Sequence, residues 1–289
     1  MKKFKLFFAV AAAVILFALP VFALEDTNPE DLPSDADDAT VAAEAEPNLP
    51  EVKVVQPEYF GLVDIRGDFT TVNMSSVNAK LASLTSVVAG GSVTDKMTIG
   101  YLISMDLGFK FFKGVPLTLG PRFDIIGCNT GKYSANDGAG NSLIYSLDAT
   151  EIPFMLGGTY AFNFQEIPFE ATLGIYAGAA YARASVNWLQ TEVSPSNDYD
   201  LTAIYGGFGF AGEINGSFKY QFSETVAGGL NFGYRLSSVP SVTAQSTVNR
   251  NGTDTPIATQ GQALQDSNNK NTSFDFSGFL IGADISMKY

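Results

Sequence analysis

Histidine is absent from all 289 residues, which removes at once the commonest general base and the commonest zinc ligand. Cysteine occurs once, as Cys128, so no intramolecular disulfide can form and a thiolate zinc site has no ligand set. We expect Cys128 to be a small buried or lumenal residue. Basic residues are scarce, 17 Lys and Arg against 30 Asp and Glu for a net charge of −13. No basic cluster is available for a nucleic-acid backbone or for anionic headgroups. A single long uncharged run, Leu6 to Leu19, is short for a helical span of ~20 residues. It follows Lys2, Lys3 and Lys5, is broken by Pro20, and leads to Val21 and Ala23 at the −3 and −1 positions of a cleavage site. This pattern predicts a signal peptide over residues 1–23, with no cysteine after it to carry a lipid.

Residues 24–57 lack any aromatic and hold ten acids and one base, Lys53. Such a stretch has too little apolar surface to offset the entropy of ordering. It predicts a disordered acidic leader on the periplasmic side of an envelope protein, solvated rather than bound to a partner.

From Tyr59 onward apolar and polar residues alternate, the period of a strand wet on one face. Met97, Ile99, Tyr101, Ile103, Met105, Leu107, Phe109 and Phe111 fall on one side of such a strand, and Thr98, Gly100, Ser104, Asp106, Gly108 and Lys110 on the other. Leu102 alone breaks the pattern. A helix cannot separate the two sets, because its 100° step scatters both. The alternation recurs around Val63–Phe69, Leu117–Ile125, Ile152–Phe164, Phe169–Tyr181, Phe208–Phe222, Val226–Leu236 and Phe279–Tyr289, making eight strands. Short links at Lys113–Pro116, Gln165–Pro168 and Phe222–Thr225 alternate with long polar ones near Ser75–Lys96, Asn129–Ser142, Thr191–Asp200 and Ser237–Asn271. Short turns on one side and long loops on the other predict an all-β fold: an eight-stranded antiparallel up-and-down transmembrane β-barrel over residues 58–289. Its turns and both termini should be periplasmic and its loops extracellular. Within the loops, Asn78–Val88 is apolar enough for a short amphipathic helix or lid, and Ser237–Asn271 should be mobile. Asn251 and Asn271 satisfy a glycosylation spacing that we take as accidental in Asn/Thr-rich loops.

The polar faces carry charge in strand interiors: Asp64, Arg66, Asp68, Asp106, Lys110, Arg122, Asp124, Glu151, Glu170, Glu213, Lys219, Arg235, Asp284 and Lys288. Eight strands enclose an interior just wide enough for side chains. Eight acids and six bases on that face therefore predict a lumen filled by an ion-pair network. Neighbouring carboxylates such as Asp64 and Asp68 belong to such a network far more often than to catalysis. Aromatics crowd the apolar faces beside the turns, at Phe109, Phe111, Phe162, Phe164, Phe169, Tyr220 and Phe222, as an interfacial girdle should.

The last strand places Phe279, Ile281, Ile285, Met287 and the terminal Tyr289 on one face. It resembles the C-terminal assembly signal of outer-membrane barrels. Residues 59–289 as a whole resemble the OmpA/OmpX-like barrels, with OmpW-like proteins close behind. The resemblance implies an outer-membrane location, partners in the outer-membrane lipid and in the barrel-assembly machinery through the C-terminal strand, and an extracellular ligand of unknown kind. Lipid-modifying and proteolytic barrels rely on catalytic histidines, so their mechanisms do not transfer. No catalytic, cofactor-binding or metal site is expected, and no enzyme. Two functions fit: a structural or surface-interaction barrel with a charge-filled lumen, or a narrow porin-like channel for ions or small, even hydrophobic, solutes.

Overall fold

The computed structural model describes residues 60–86, 90–112, 114–164, 167–192, 198–250, 254–266 and 268–289. The expected signal peptide, the acidic leader, Lys113 and Asn251 lie outside them. The elements in chain order are β1 (Gly61–Thr71), α1 (Ser75–Ser83), a 3-10 turn (Leu84–Ser86), β2 (Gly91–Asp95), β3 (Ile99–Phe109), β4 (Leu117–Cys128), β5 (Gly131–Asn136) and β6 (Ser142–Asn163). There follow β7 (Phe169–Thr191), β8 (Tyr199–Gln221), β9 (Val226–Val239), the short β10 (Thr243–Ala244), β11 (Val248–Asn249), β12 (Pro256–Ala258) and β13 (Phe274–Asp275), and finally β14 (Gly278–Lys288).

Eight of these strands close on themselves. In the order β1, β3, β4, β6, β7, β8, β9, β14 each is hydrogen-bonded antiparallel to the next, and β14 returns to β1 from Leu62↔Lys288 to Thr70↔Leu280. Closure leaves the wall no unpaired edge, the condition for backbone polar groups to cross hydrocarbon. The seam is finished beyond the strand ends: the Gly61 amide donates to the Tyr289 carbonyl at 2.9 Å and the Tyr289 amide to the Gly61 carbonyl at 3.0 Å. Gly61 has a spatial reason to be glycine, because a Cβ there would stand 2.4 Å from the Tyr289 ring. The strand ends at Gly61 and Lys288 share one end of the barrel with the three short turns.

The wall wears its apolar residues outside. On β3, Ile99, Tyr101, Ile103 and Met105 are exposed while Leu102, Ser104 and Asp106 are buried. On β1, Ile65 and Phe69 point out, and Asp64, Arg66 and Asp68 point in. In water such a surface would be an aggregation hazard. Around a closed barrel it is the lipid-facing band of a membrane protein. Aromatics edge the band near the short turns, with Phe169 stacked on Phe218 at 5.0 Å and Tyr160 against Phe162 at 4.7 Å. At the other edge Tyr181 packs on Phe208 and Tyr234 on Phe279, both at 5.0 Å.

β6, β7 and β8 are 22, 23 and 23 residues long, against 11 for β1, β3 and β14. A tilted crossing of the hydrocarbon needs only about 9–11 residues, so roughly half of each long strand stands outside the membrane. The alternation continues there with its sense reversed. Along β6 the outward residues are Ile152, Phe154 and Leu156 within the band, but Ser146, Asp148 and Thr150 beyond it. The inward ones change the opposite way, from Glu151 to Ala149, Leu147 and Tyr145. β7 repeats this with Tyr181 followed by Arg183 and Ser185 outside, and Ala182, Ala184 and Val186 inside. In β8, Phe208 and Phe210 face out, whereas Ala203 and Tyr205 beyond them are buried. The three switches are level, since Ile152 pairs with Tyr181 and Tyr181 with Phe208.

Past the switch the long loops fold over the mouth. β5 pairs with β6 and with β2, and β10 with β8. α1 drives Val77 and Leu81 into a continuous apolar cluster with Met97, Leu102, Ile126, Tyr133, Tyr145, Leu147, Val186, Phe274, Phe276 and Leu280. Two expectations change here, those for Met97 and for residues 237–271, and one exception is explained, Leu102. Met97 is not on the lipid face. It precedes β3 and is fully buried, its backbone pinned by the Asn78 side chain, which donates to the Met97 carbonyl and accepts from the Met97 amide, each at 3.0 Å. Leu102, which broke the pattern, points inward as part of the cap. The described residues between 237 and 271 are not a loose polar loop: Val239, Val242, Ala244, Ala258 and Leu264 are buried, and the Leu264 amide donates to the Val242 carbonyl and the Thr272 amide to the Leu264 carbonyl.

Candidate functional site

Among the described residues, the interior of the membrane-spanning half is the one place where charge is concentrated away from water. Strand alternation delivers it: every second residue of a barrel strand must face the lumen, and on these strands most of the inward residues are charged, hydroxylated, amidated or glycine, with a small apolar cluster of Met155, Ala180 and Ala211 beside Tyr176. Of the fourteen charged positions expected there, thirteen are buried. Lys110 is the exception, since β3 ends at Phe109 and Lys110 lies half-buried beyond it, in the turn region.

Glu213 on β8 is the hub. Its Oε1 accepts from Arg66 Nη2 on β1 and from Arg122 Nη1 on β4, both at 2.7 Å, and from Asn215 Nδ2 at 2.8 Å. Arg235 Nη2 on β9 stands 3.3 Å from its Oε2. One carboxylate thus gathers guanidinium groups from three other strands across the lumen. Arg122 is held further by a two-point grip on Asp106, Nε to Oδ1 at 2.5 Å and Nη2 to Oδ2, and its guanidinium lies 3.6 Å over the centre of the Tyr176 ring. Bidentate pairing and stacking are what a planar guanidinium offers and an ammonium does not. Arg235 also donates to Asp124 and stands 4.0 Å from Glu151, which accepts from the Ser237 hydroxyl.

Nearer the short-turn end Lys219 bridges Asp64 at 2.5 Å and Asp284 at 2.9 Å, and Lys288 pairs with Glu170 at 2.5 Å. Asp68 is brought into the lumen but into no ion pair among the described residues. Arg66, two residues along the same strand, turns instead to Glu213 and, at 3.5 Å, to the Ser104 hydroxyl. The structure thus places most of the anticipated charges in three connected groups, with Asp68 apart. No three Asp, Glu or Cys side chains among the described residues converge as metal ligands.

The alternation put Ser104 and Asn231 on the polar face, but attention to charge passed over other neutral members of this lining, Tyr176, Asn215 and Ser237. It also missed the apolar cap. The cap's signal was present as the shift in phase between Ala149 and Ile152, where the apolar residues change from odd to even positions. Outside the membrane, Lys80 of α1 reaches the Gln265 carbonyl; burial lowers its pKa, against the pull of nearby Asp266. Asp266 in turn is held below the usual carboxylate range by the amides of Lys270 and Asn268.

A ring of eight antiparallel strands with a lipid-facing apolar band and a charged interior defines a transmembrane β-barrel of the small outer-membrane kind. No protein-family model matches the chain, and no curated protein matches its sequence. Among solved structures it is similar to Neisserial surface protein A, at 13% identity and a TM-score of 0.34 over 79% of this chain and 97% of that one. It is also similar to OprG of Pseudomonas aeruginosa, at 12% identity and a TM-score of 0.34 over 81% and 98%. The outer-membrane protease OmpT of Escherichia coli matches at 7% identity and a TM-score of 0.37 over 81% and 97%. At TM-scores this low the fold stands on the hydrogen-bonded ring itself.

Proposed function

We propose that this outer-membrane barrel serves a structural or surface-interaction role and does not conduct. The observation that carries the reading is the double obstruction of its lumen. Glu213 and the three arginines it gathers tie β1, β4, β8 and β9 together across the middle, and the apolar cluster of cap residues lies over the far mouth. A permeant ion would have to break charge pairs and then cross an apolar layer. In this reading the short turns and the strand ends at Gly61 and Lys288 face the periplasm, and the capped end faces outward, where long loops of such barrels lie. The outer face of the cap then supplies the interaction surface. With no histidine in the chain, we read the barrel as non-enzymatic.

One observation favours the alternative of a narrow channel. Eight buried acids in the lumen outnumber five buried bases, an imbalance that would admit cations over anions. Single-channel recording on the refolded protein in a planar bilayer separates the two. The expected record is flat at moderate voltage. Frequent, stable openings from the unmodified protein would overturn the closed reading and establish the channel.

A further inference from the structure

The level switch of polarity on β6, β7 and β8 gives one side chain a fixed height. Ile152, Tyr181 and Phe208 form the last apolar row on the outside of the wall. Thr150, Arg183 and Gly206 form the next row toward the cap, since Thr150 pairs with Arg183 and Arg183 with Gly206. One row is about 7 Å of strand, and the head-group zone on each side of the hydrocarbon is about 5–7 Å deep. Arg183 therefore stands where lipid phosphates lie. It is exposed, and among the described residues it is the one base on the outer face of the eight wall strands. The other four arginines of the chain each hold a carboxylate, Arg66, Arg122 and Arg235 in the lumen and Arg250 in the loops. Two more donors lean over the same row. A Cβ on Gly206 would collide with the Tyr181 hydroxyl and lie 3.0 Å from Gln245 Nε2. Directly opposed residues of an antiparallel pair share a face, with Cβ positions about 4.5–5.5 Å apart, so that hydroxyl and that amide rest beside the root of the arginine. The first acid on this face, Asp148 one row further along β6, accepts from the Thr130 hydroxyl.

We propose that Arg183, with the Tyr181 hydroxyl and the Gln245 amide beside it, binds the phosphate of an anionic membrane lipid at the capped rim. The row continues the lipid-facing band on the same three strands. The molecule that stands against it is therefore the lipid whose chains cover Ile152, Phe154 and Phe208 below. A planar guanidinium offers two parallel N–H groups to phosphate oxygens, and the hydroxyl and the amide supply further donors to the same group. The Gln245 amide gives one hydrogen to the Thr243 carbonyl at 3.1 Å and keeps a second. Tyr181 is placed for both halves of such a ligand: its ring packs on Phe208 among the chains, and its hydroxyl reaches into the row of the arginine. The assignment holds whichever leaflet the capped rim lies in, and whether or not the lumen conducts.

The test mixes the refolded mature protein in detergent with equal amounts of phosphatidylglycerol and phosphatidylcholine of the same chains, and counts bound lipid by native mass spectrometry. One phosphatidylglycerol should be retained in several-fold preference over phosphatidylcholine. Arg183→Gln should remove the preference. Tyr181→Phe, which keeps the ring, should reduce it part of the way. Both variants should run as the compact form on unheated gels, so that a lost preference is not a lost fold. Arg250→Gln removes an arginine that lies over Tyr199 at the far end of β8 and should leave the preference intact. Equal retention by Arg183→Gln and the unmodified protein would overturn the site. An equal loss in Arg250→Gln would overturn it too, because the attraction would then follow overall charge. Inorganic phosphate in modest excess should not displace the lipid, whose chains also hold it to the band; full displacement would make this a site for free anions and overturn the lipid assignment.

Discussion

Replacing Glu213 by glutamine probes whether the lumen is dry. The substitution keeps the shape and removes the charge that Arg66, Arg122 and Arg235 share. The three arginines do not lose equally. Arg122 retains its two-point contact with Asp106 and Arg235 retains Asp124, whereas Arg66 is left with no ion-pair partner, only neutral acceptors: the glutamine carbonyl and the Ser104 hydroxyl at 3.5 Å. One stranded buried cation costs about 3–5 kcal/mol. In addition, an NH2 takes the place of one of the two glutamate oxygens and faces donors only. Urea unfolding in phospholipid vesicles, followed by the loss of the compact form on unheated gels, should therefore show a large fall in midpoint with an unchanged slope. Adding Arg66→Met removes the stranded charge and should restore the larger part of the loss, because an apolar replacement for a buried pair is often neutral. A Glu213→Gln effect below about 1 kcal/mol, the range of solvent-exposed pairs, would refute the reasoning: the lumen would be wet enough to screen its charges.

Phe276→Ala should cost about 3–5 kcal/mol in the cap, since its ring is fully buried and stacked near Phe274. Emission from Trp188, which packs edge-on to Tyr145, should report the loosened cap before the barrel itself unfolds. Deleting Tyr289 should impair insertion in cells while refolding into lipid in vitro is nearly normal, if the residue is read by the assembly machinery. An equal defect in both would leave only its packing over Gly61. Cysteines placed at Ser134 and Gly261 should react with an impermeant reagent added to whole cells and one at Gly114 should not. Labelling at Gly114 would reverse the orientation.

The membrane half of the fold was legible because lipid enforces one rule along every strand: apolar out, anything else in. All eight wall strands follow from it, and Leu102, the exception on β3, was the first sign of the cap. The upper halves of β6, β7 and β8 escaped because the rule inverts where water replaces lipid. Ser146, Asp148 and Thr150 look like loop residues until Tyr145, Leu147 and Ala149 are seen as their complement on the other face. The lumenal residues were readable as a set, but not their pairings. Arg66 and Glu213 are 147 residues apart and meet only because the stagger of eight strands brings them level. That stagger is a property of the closed ring that no single strand records.

The level inversion of polarity on three adjacent strands also sets the draught of the protein. A rise of one residue pair, about 7 Å of strand, would lift Ile152, Tyr181 and Phe208 out of the hydrocarbon. A matching descent would drag Thr150 and Arg183 into it, where arginine costs up to ~2–4 kcal/mol at mid-depth. The barrel is therefore moored at its capped rim, and a thicker or thinner bilayer has to be accommodated at the opposite shore. There Phe111, Phe164 and Phe222 offer a tolerant aromatic margin in place of a sharp boundary. Whatever approaches the capped end meets the cap at one fixed height above the lipid.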